Sequence, residues 1–499
     1  MPRCASLVGG RAAIVSRVGM DGDAYQQLQA KLVALWPTIR SLSDEEQTIV
    51  VVPSISMVDL AEDLVPLLPA YEERYLFLLL LLRQRRANVV YVTSQPVLPR
   101  LVDYYLSLIP DVDLADARRR LSMVSVGDPT FRPLSAKLLD RPEILERLRG
   151  LVVDVDRAHL VPFTTSSLEA ALAVELGIPM YGADPSLLDF GSKSGSRRVF
   201  DAVGVQHPRG FENLRSLEEV AGALADLPAA EAVIKLNHGI GGLGNAIVHG
   251  ADERHVAALV DLLRTQGVDP ALVEKEGAIV EERIVGDELR SPSAQLRVTP
   301  EGDVELLSTH DQLLDHERAQ DYIGCRFPAD PAYVDAITDA SRRVGRHLAD
   351  AGVLGRFAID FVAVRRATRE WDTYAIEINL RKGGTTHPFL TMQLLTDGSY
   401  DAGTGTFTTS AGAARCYIAV DHLHEPGFER LVADDVLDLA ARDAALQWDH
   451  ARQVGVVFHM LSALPVAGRV GLTAIAETSA AADALYEGVR DRLLAVCGP

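Results

Sequence analysis

Tyr374-Ala-Ile-Glu-Ile-Asn-Leu-Arg-Lys-Gly-Gly-Thr-Thr-His-Pro388 is the stretch of this chain that decides the fold. Its first half alternates between apolar and polar residues, as a β-strand with one buried face does. The polar positions are Glu377, Asn379 and Arg381. An acid, an amide and a guanidinium on one strand face are unsuited to a hydrophobic core and are typical of a functional site. The alternative is an edge hairpin whose polar face is solvated.

A second predicted strand, residues 357–364, lies upstream and carries a single acid, Asp360. A charged turn joins it to the first strand, which predicts a β-hairpin. Pairing of the two strands would bring Asp360 near Glu377 and Asn379. Side-chain oxygens of this kind are the ligands that Mg²⁺ takes alongside substrate phosphates, so the hairpin is a candidate metal site.

Composition limits what the rest of the chain can be. A length of 499 residues suits two or three domains, and 48% apolar residues support sizeable cores. A net charge of −20 argues against nucleic acid or an anionic membrane as the main partner. Four widely spaced cysteines and the lack of a convincing signal peptide or spanning segment predict a cytoplasmic protein. If the protein assembles, a homodimer is the default expectation.

The N-terminal part alternates short apolar strands with helices, which predicts an open, mostly parallel sheet. The predicted strands are residues 48–53, 88–93, 121–126 and 151–154. No G-x-G-x-x-G follows any of them, which argues against a nicotinamide-dependent oxidoreductase. The sequence therefore predicts a Rossmann-like domain without a dinucleotide, and a turn-rich stretch at 178–185 marks its end.

A lysine inside an apolar strand precedes a glycine-rich tip. Lys235 lies in the predicted strand 232–236, and the tip carries the glycines Gly239, Gly241, Gly242 and Gly244. Backbone N–H groups without neighbouring Cβ atoms approach phosphate oxygens closely, and the lysine adds a positive charge. We therefore predict a phosphate cover, against the alternative of an ordinary flexible turn.

Three further features are weaker on their own. The backbone at Glu282 to Ile284 is placed to hydrogen-bond a flat heterocycle, with Glu288 placed for a ribose hydroxyl. The polar run 308–312 either faces the substrate or is a plain loop. His459 lies within an apolar run and is predicted to be a satisfied core histidine.

The order of these parts resembles the ATP-grasp superfamily of carboxylate ligases across residues 186–395. The resemblance implies that two lysines and a glycine hairpin hold the triphosphate of ATP. An acidic hinge would bind the adenosine, and an acid plus an E-x-N strand would carry Mg²⁺. Carried over by position, the implied phosphate lysines are Lys193 and Lys235, and the cover glycines Gly241, Gly242 and Gly244. The implied adenosine residues are Glu281, Ile284 and Glu288, the metal ligands Asp360, Glu377 and Asn379, and the oxyanion-stabilising group Arg381.

The E-I-N-L-R-K-G-G-T-T-H-P run at 377–388, with S-P-S-A-Q-L at 291–296 and S-T-H-D-Q-L at 308–313, is similar to the pheganomycin-type peptide ligases of actinobacteria. This resemblance implies a multidomain α/β and α+β fold. Its parts would be a Rossmann-like domain at 1–185, an ATP-grasp domain at 186–399 and a small α+β domain at 400–499. It also implies a role in natural-product biosynthesis.

The implied reaction is ATP-dependent amide formation through an acyl phosphate, releasing ADP and phosphate. Its cofactors would be ATP and one or two Mg²⁺, with Mn²⁺ as a substitute. The substrates would be an amino acid or derivative as the carboxylate, and an amine or peptide as the acceptor. Two alternatives stay open, namely a non-catalytic nucleotide-binding module and an ATP-grasp enzyme with a non-amine acceptor.

Overall fold

Buried runs of β-branched residues build the first sheet of the computed structural model, which describes residues 22–41, 45–56, 66–110, 112–239, 244–250, 255–315, 321–367 and 370–497. Its parallel strands are β1 (Gln47–Val52), β2 (Ala87–Thr93), β3 (Leu121–Ser125) and β4 (Ala158–Pro162), in the order β3-β2-β1-β4. Successive residues of β1, such as Ile49 and Val50, point to opposite faces and belong to different hydrophobic clusters. Apolar packing therefore covers both faces of this sheet, as is usual for parallel strands.

Helices surround this sheet. They are α1 (Gly22–Ala30), α2 (Leu32–Ser41), α3 (Leu68–Glu73), α4 (Pro99–Ser107), α5 (Leu114–Arg119), α6 (Leu134–Leu139), α7 (Pro142–Leu151) and α8 (Ser167–Leu176). The 3-10 helices of this part are Arg74–Arg83, Val155–Arg157 and Pro185–Gly191. Residues 57–65 lie outside the described residues, and α3 runs directly into the 3-10 helix Arg74–Arg83.

The predicted strand at 151–154 is wrong. α7 runs to Leu151, and Val153 is 66% exposed, so the short apolar run there is not a core strand. The fourth strand is Ala158-His-Leu-Val-Pro162, whose residues are all buried. Its histidine and proline interrupt the apolar pattern. The prediction from that pattern therefore placed the start of the strand seven residues too early, at 151 instead of 158.

A second, antiparallel sheet carries the predicted lysine strand. Its strands are β5 (Gly210–Leu214), β6 (Ala232–Leu236), β7 (Asn245–Val248) and β8 (Ala278–Glu282), in the order β5-β8-β6-β7. The helices of this part are α9 (Lys193–Ala202), α10 (Leu217–Asp226), α11 (Val256–Thr265) and α12 (Ala271–Glu276). Leu224, Leu259 and Val280 belong to the one core that packs α10 and α11 against this sheet.

The largest sheet of the described residues contains ten strands. They are β9 (Glu288–Arg290), β10 (Pro292–Val298), β11 (Val304–Asp315), β12 (Asp321–Phe327), β13 (Gly355–Arg365), β14 (Trp371–Asn379), β17 (Cys416–His424), β18 (Trp448–Asp449), β19 (Val454–His459) and β20 (Arg469–Ala476). Their order is β14-β13-β10-β11-β12-β17-β20-β19-β18, and β9 pairs with β13. β10 and β11 pair as an antiparallel hairpin. The predicted hairpin that carries Asp360 and Glu377 is confirmed as β13–β14.

The remaining elements flank this sheet. They are β15 (Ser399–Asp401) with β16 (Thr406–Thr408), α13 (Pro331–Asp350), α14 (Thr386–Thr396), α15 (Ala433–Arg442), α16 (Leu464–Ala467), α17 (Ser479–Cys497) and the 3-10 helices Phe428–Arg430, Ala444–Leu446 and Leu461–Ala463. α13 packs on β10 and β11, and α17 packs on β17 and β20. Among the helices that the structure describes, none combines the length and the apolar character needed to cross a bilayer.

Contacts cross both predicted domain boundaries. β12 pairs with β17, so strands from beyond residue 400 extend the sheet that carries the predicted metal hairpin. The Tyr105 hydroxyl donates a 2.9 Å hydrogen bond to the Phe458 carbonyl, which joins the N-terminal part to the C-terminal part. The predicted domain limits at residues 185 and 399 stay predictions. Residues from all three predicted domains contact one another.

Candidate active site

The polar residues of the β13–β14 hairpin lie side by side. Asp360 stands directly opposite Glu377, and Ala358 stands opposite Asn379, with an irregularity in the pairing just after Asp360. Ile378, on the other face of β14, is fully buried in the core beneath the sheet. The alternation read from the sequence therefore places Asp360, Glu377 and Asn379 on one face, and we call these three residues the hairpin cluster.

Amide groups hold the two carboxylates of the hairpin cluster. The Asn379 Nδ2 atom donates to Asp360 Oδ2 at 2.9 Å and to Glu377 Oε1 at 3.2 Å. Gln312, from the polar run on β11, donates its Nε2 to Asp360 Oδ1 at 2.9 Å. Sequence reasoning gave Gln312 no role of its own, although the flagged run 308–312 contains it.

The pKa values of the two carboxylates shift in opposite directions. Burial and the neighbouring Glu377 raise the pKa of Asp360 to about 6. Burial acts to raise the pKa of Glu377 too, but the charges of Lys193, Lys235 and Arg381 outweigh it and lower that pKa. Two half-buried acids side by side, with an amide oxygen next to them, are the ligand chemistry that suits a hard divalent cation. The residues present therefore fit Mg²⁺.

Lys193 connects three parts of the site. It is the first residue of α9, whose N-cap is Ser192. Its Nζ forms an ion pair with Glu377 and donates to the Gly239 carbonyl at 3.1 Å. The lysine side chain is only 9% exposed, so it is not the solvated surface lysine that composition alone would suggest.

Lys235 lies on β6 next to a buried acid on β8. Its Nζ is 2.5 Å from Glu281 Oε1, and Arg197 Nη1 is 3.3 Å from Glu281 Oε2. Glu281 is 2% exposed and therefore depends on these cations for compensation of its charge. The pair brings one predicted phosphate lysine together with one predicted hinge acid.

The glycine tip is described only at its ends. β6 and β7 pair as the predicted hairpin, with Lys235 opposite Asn245. Gly244 has φ +85°, and a Cβ there would meet the Leu236 side chain at 3.2 Å, so this position requires glycine. Gly239 supplies the carbonyl that accepts from Lys193. Gly241 and Gly242 lie outside the described residues.

The other predicted adenosine residues are not drawn into the hairpin cluster. The Glu282 carboxylate accepts a 2.9 Å hydrogen bond from the Arg209 backbone N–H and a 2.6 Å hydrogen bond from the Arg209 guanidinium. Ile284 is half-buried in the connection between β8 and β9. Glu288 forms ion pairs with Arg365 and with Arg290. Their proposed contacts with adenosine stay predictions.

Arg381 follows the hairpin cluster directly in sequence. Its backbone N–H donates to the Asn379 carbonyl at 2.8 Å, which turns the chain at the end of β14. Burial lowers the pKa of Arg381, and the charges of Glu377 and Asp360 act in the opposite direction. The guanidinium is therefore within the electrostatic reach of both acids.

Lys382 is a residue that sequence reasoning missed. Its Nζ donates to the Pro162 carbonyl at the end of β4, at 2.6 Å, so it ties the E-I-N-L-R segment to the N-terminal sheet. Burial, reinforced by Arg356, lowers the pKa of Lys382 to about 7. Its position next to Arg381 was visible in the sequence, but its partner is 220 residues away.

Two family models match parts of this chain. A model described as IQCH-like, ATP-grasp matches residues 271–403, which contain the hairpin cluster. A model described as PGM1 C-terminal domain matches residues 435–489. The first match covers β9 to β14 and the second lies within the C-terminal part.

The chain is also similar to proteins of known activity and structure. It is 31% identical over 458 residues to the L-propargylglycine–L-glutamate ligase of Streptantibioticus cattleyicolor, covering 89% of this chain and 93% of that protein. The ADP complex of N5-carboxyaminoimidazole ribonucleotide synthetase has a TM-score of 0.54, with 10% identity and coverage of 91% and 98%. Biotin carboxylase from Campylobacter jejuni has a TM-score of 0.53, with 13% identity and coverage of 91% and 96%. At these identities, the two solved structures show the fold alone.

Proposed function

This chain belongs to the family of ATP-grasp carboxylate–amine ligases of the pheganomycin type, and from that premise we propose that the hairpin cluster and Lys193 form the centre at which ATP activates a carboxylate. The observation that carries the residue assignment is the half-buried Asp360–Glu377 pair beside Lys193. Two acids held together away from bulk water are costly unless cations compensate them.

The lysines hold phosphate oxygens in this proposal. Lys193 pairs with the half-buried Glu377, and Lys235 pairs with the buried Glu281. A triphosphate offers more negative charge than either glutamate, and ammonium groups bind it as point charges. Gly239 and Gly244, at the ends of the β6–β7 connection, bring backbone groups to the same place.

The reaction balances in two steps. A carboxylate oxygen of the donor attacks the γ-phosphorus of ATP, the bond to the ADP oxygen breaks, and an acyl phosphate forms. The acceptor nitrogen then attacks the acyl carbon, the C–O bond to phosphate breaks, and the nitrogen loses a proton. Positioning and charge neutralisation supply most of the rate enhancement in such transfers. Arg381 is assigned to the oxyanion that develops at the acyl carbon.

Asp360, Glu377 and Asn379 would hold the metal. When bound, Mg²⁺ acts as a Lewis acid that neutralises the phosphate oxygens. Gln312 positions Asp360 through its 2.9 Å hydrogen bond.

Both substrates are proposed to be amino acids or close derivatives. The similar ligase joins, by its name, L-propargylglycine and L-glutamate. At 31% identity we extend the class of reaction to this chain, with an amino acid carboxylate as the donor and an amino acid or peptide amine as the acceptor. The intact set of lysines, acids and arginine favours catalysis over a non-catalytic nucleotide-binding module.

An acceptor screen tests this proposal. ADP release is followed with Mg²⁺-ATP and pairs drawn from the amino acids, with hydroxylamine as a general trap for an acyl phosphate. The expected result is ADP release that needs a carboxylate donor, rises with an amine and is accompanied by amide detected by mass spectrometry. ATP binding without ADP release under every pair would support the non-catalytic module, and ADP release with bicarbonate alone would support a carboxylase.

A further inference from the structure

A cluster of three buried side chains lies apart from the residues assigned to the nucleotide. His387 is in the first turn of α14, Asp421 lies on β17, and His459 ends β19. Their side chains are 4%, 4% and 2% exposed. We call these residues the histidine cluster. His459 is buried as the sequence predicted, but its neighbours are a carboxylate and a second histidine.

The ligand atoms of the histidine cluster converge on one point. The two Nε2 atoms of His387 and His459 are 3.1 Å apart, and Asp421 Oδ1 is 2.9 Å from His459 Nε2 and 3.4 Å from His387 Nε2. An ion at about 2.0–2.1 Å from all three atoms, the usual zinc distance, would lie about 1 Å outside their plane. Three ligands arranged in this way leave the fourth tetrahedral position to another donor.

Protons satisfy this triangle poorly. One ring N–H directed at a neighbour leaves another pair of atoms facing each other with lone pairs only, and an N–H on each ring places two donors 3.1 Å apart. A cation accepts all three lone pairs at once.

The charge states also suit a divalent transition metal. Burial lowers the pKa of His387 well below its ordinary value, which keeps the imidazole neutral and able to bind metal. Burial opposes ionisation of Asp421, but Arg74 and the two histidines hold its pKa well below the ordinary range. At neutral pH, His387 therefore offers a neutral imidazole and Asp421 a carboxylate.

Two further residues shape the surroundings of the histidine cluster. Arg74 Nη1 donates to Asp421 Oδ2 at 2.6 Å, which fixes the carboxylate and leaves Oδ1 directed at the histidines. Gly471, opposite His459 on β20, has no side chain, and a Cβ there would lie 2.4 Å from His459 Nε2. The position of the His459 ring therefore depends on glycine at 471.

We propose that His387, Asp421 and His459 bind one divalent transition-metal ion, with Zn²⁺ as the expected occupant, at a site separate from the magnesium site of the nucleotide. Imidazole ligands select zinc over magnesium, which prefers oxygen. The ion joins α14, β17 and β19, and Arg74 connects it to the N-terminal 3-10 helix Arg74–Arg83. Its role is to fasten these separated segments together.

Metal analysis of the full-length protein, prepared without a polyhistidine tag and dialysed against excess Mg²⁺, tests the proposal. We expect about one equivalent of zinc per chain, and uptake of Co²⁺ with the visible absorption of a tetrahedral site. His387→Ala and His459→Ala should lose this equivalent. His159→Gln, which removes a buried histidine on β4 outside the cluster, should retain it.

Three results would overturn the proposal. The wild-type protein could take up no stoichiometric Zn²⁺ or Co²⁺, which would leave a purely proton-linked network. The two alanine variants could retain the full equivalent, which would place the metal elsewhere. If either variant fails to fold, X-ray absorption of the zinc-loaded wild type decides, because a first shell without two imidazoles contradicts the assignment.

Discussion

The hairpin cluster is a half-buried set of polar side chains and the histidine cluster a fully buried one, and the chain builds them in opposite ways. The hairpin cluster comes from two neighbouring strands joined by one turn, within 20 residues. The histidine cluster gathers side chains from three segments, and its histidines are 72 residues apart. Residues on one hairpin can form a reactive site without help from the rest of the chain. Residues from distant segments that contact one another hold those segments together.

The two clusters also differ in the type of ligand atom they offer and in their exposure to solvent. The hairpin cluster has oxygen ligands and adjoins the predicted phosphate lysines, which suits a metal that arrives with the nucleotide. The histidine cluster has imidazole ligands and minimal exposure, which suits a resident metal. Changes in the first should therefore affect turnover, and changes in the second should affect stability.

The largest effect is expected at the hairpin cluster. Glu377→Gln removes one carboxylate of the cluster and the partner of Lys193, so amine-dependent ADP release should be abolished while far-UV circular dichroism stays unchanged. Coupled measurement of ADP checks this, with the exposed Glu218→Gln on α10 as the control. Turnover close to that of the control would remove the metal assignment from this cluster.

Arg381 lies next to the hairpin cluster and within electrostatic reach of Arg74 beside the histidine cluster. Arg381→Ala should lower kcat by about 10²–10³, the magnitude usual for loss of one oxyanion donor. Arg381→Lys should recover part of that loss, because the charge returns without the planar guanidinium. A change confined to KM for ATP would instead assign Arg381 to nucleotide binding.

The histidine cluster should respond mainly in stability. His459→Ala leaves Asp421 and His387 with one partner fewer in the core, and we expect the free energy of unfolding to fall by about 3–5 kcal/mol. Urea titration monitored by fluorescence measures it. His459→Ala stability within about 0.5 kcal/mol of the wild type would show that the cluster does not fasten the fold.

A lone buried histidine provides the reference for the histidine cluster. Burial lowers the pKa of His159 to about 4 in the folded protein, against about 6.5 when unfolded. The unfolded chain binds the proton first, so stability is complete above pH 6.5 and is lost as the pH falls toward 4. Between pH 7 and pH 5 the loss should be about 2 kcal/mol.

Comparison with His159→Gln isolates this effect. The variant should lose less stability than the wild type over the same pH interval, because glutamine does not titrate. Urea titrations at both pH values give the difference. Parallel losses in the two proteins would mean that His159 is already protonated, or hydrated, in the folded state.

The sequence was informative where a structure depends on neighbouring residues. Alternation along 374–381 was enough to predict the β13–β14 hairpin and the side on which Glu377 lies, because strand geometry has a period of two residues. Likewise, the apolar runs predicted three strands of the N-terminal sheet. The fourth, Ala158–Pro162, escaped because its histidine and proline break the pattern.

Long-range partners were beyond the reach of such patterns. Nothing local in the sequence indicates that Lys382 donates to the Pro162 carbonyl or that Gln312 contacts Asp360. His459 was correctly predicted to be buried, but its meeting with His387 depends on how α14 and β19 pack across the largest sheet. Tertiary packing, which determines these contacts, leaves little trace in a single sequence.

Isotope transfer from the donor carboxylate tests the central claim most directly. The donor amino acid is labelled with ¹⁸O in both carboxylate oxygens and incubated with Mg²⁺-ATP and the acceptor amine. Activation through an acyl phosphate predicts one labelled oxygen in each phosphate released, in proportion to the amide formed. Amide formation with unlabelled phosphate, or with AMP in place of ADP, would contradict the account.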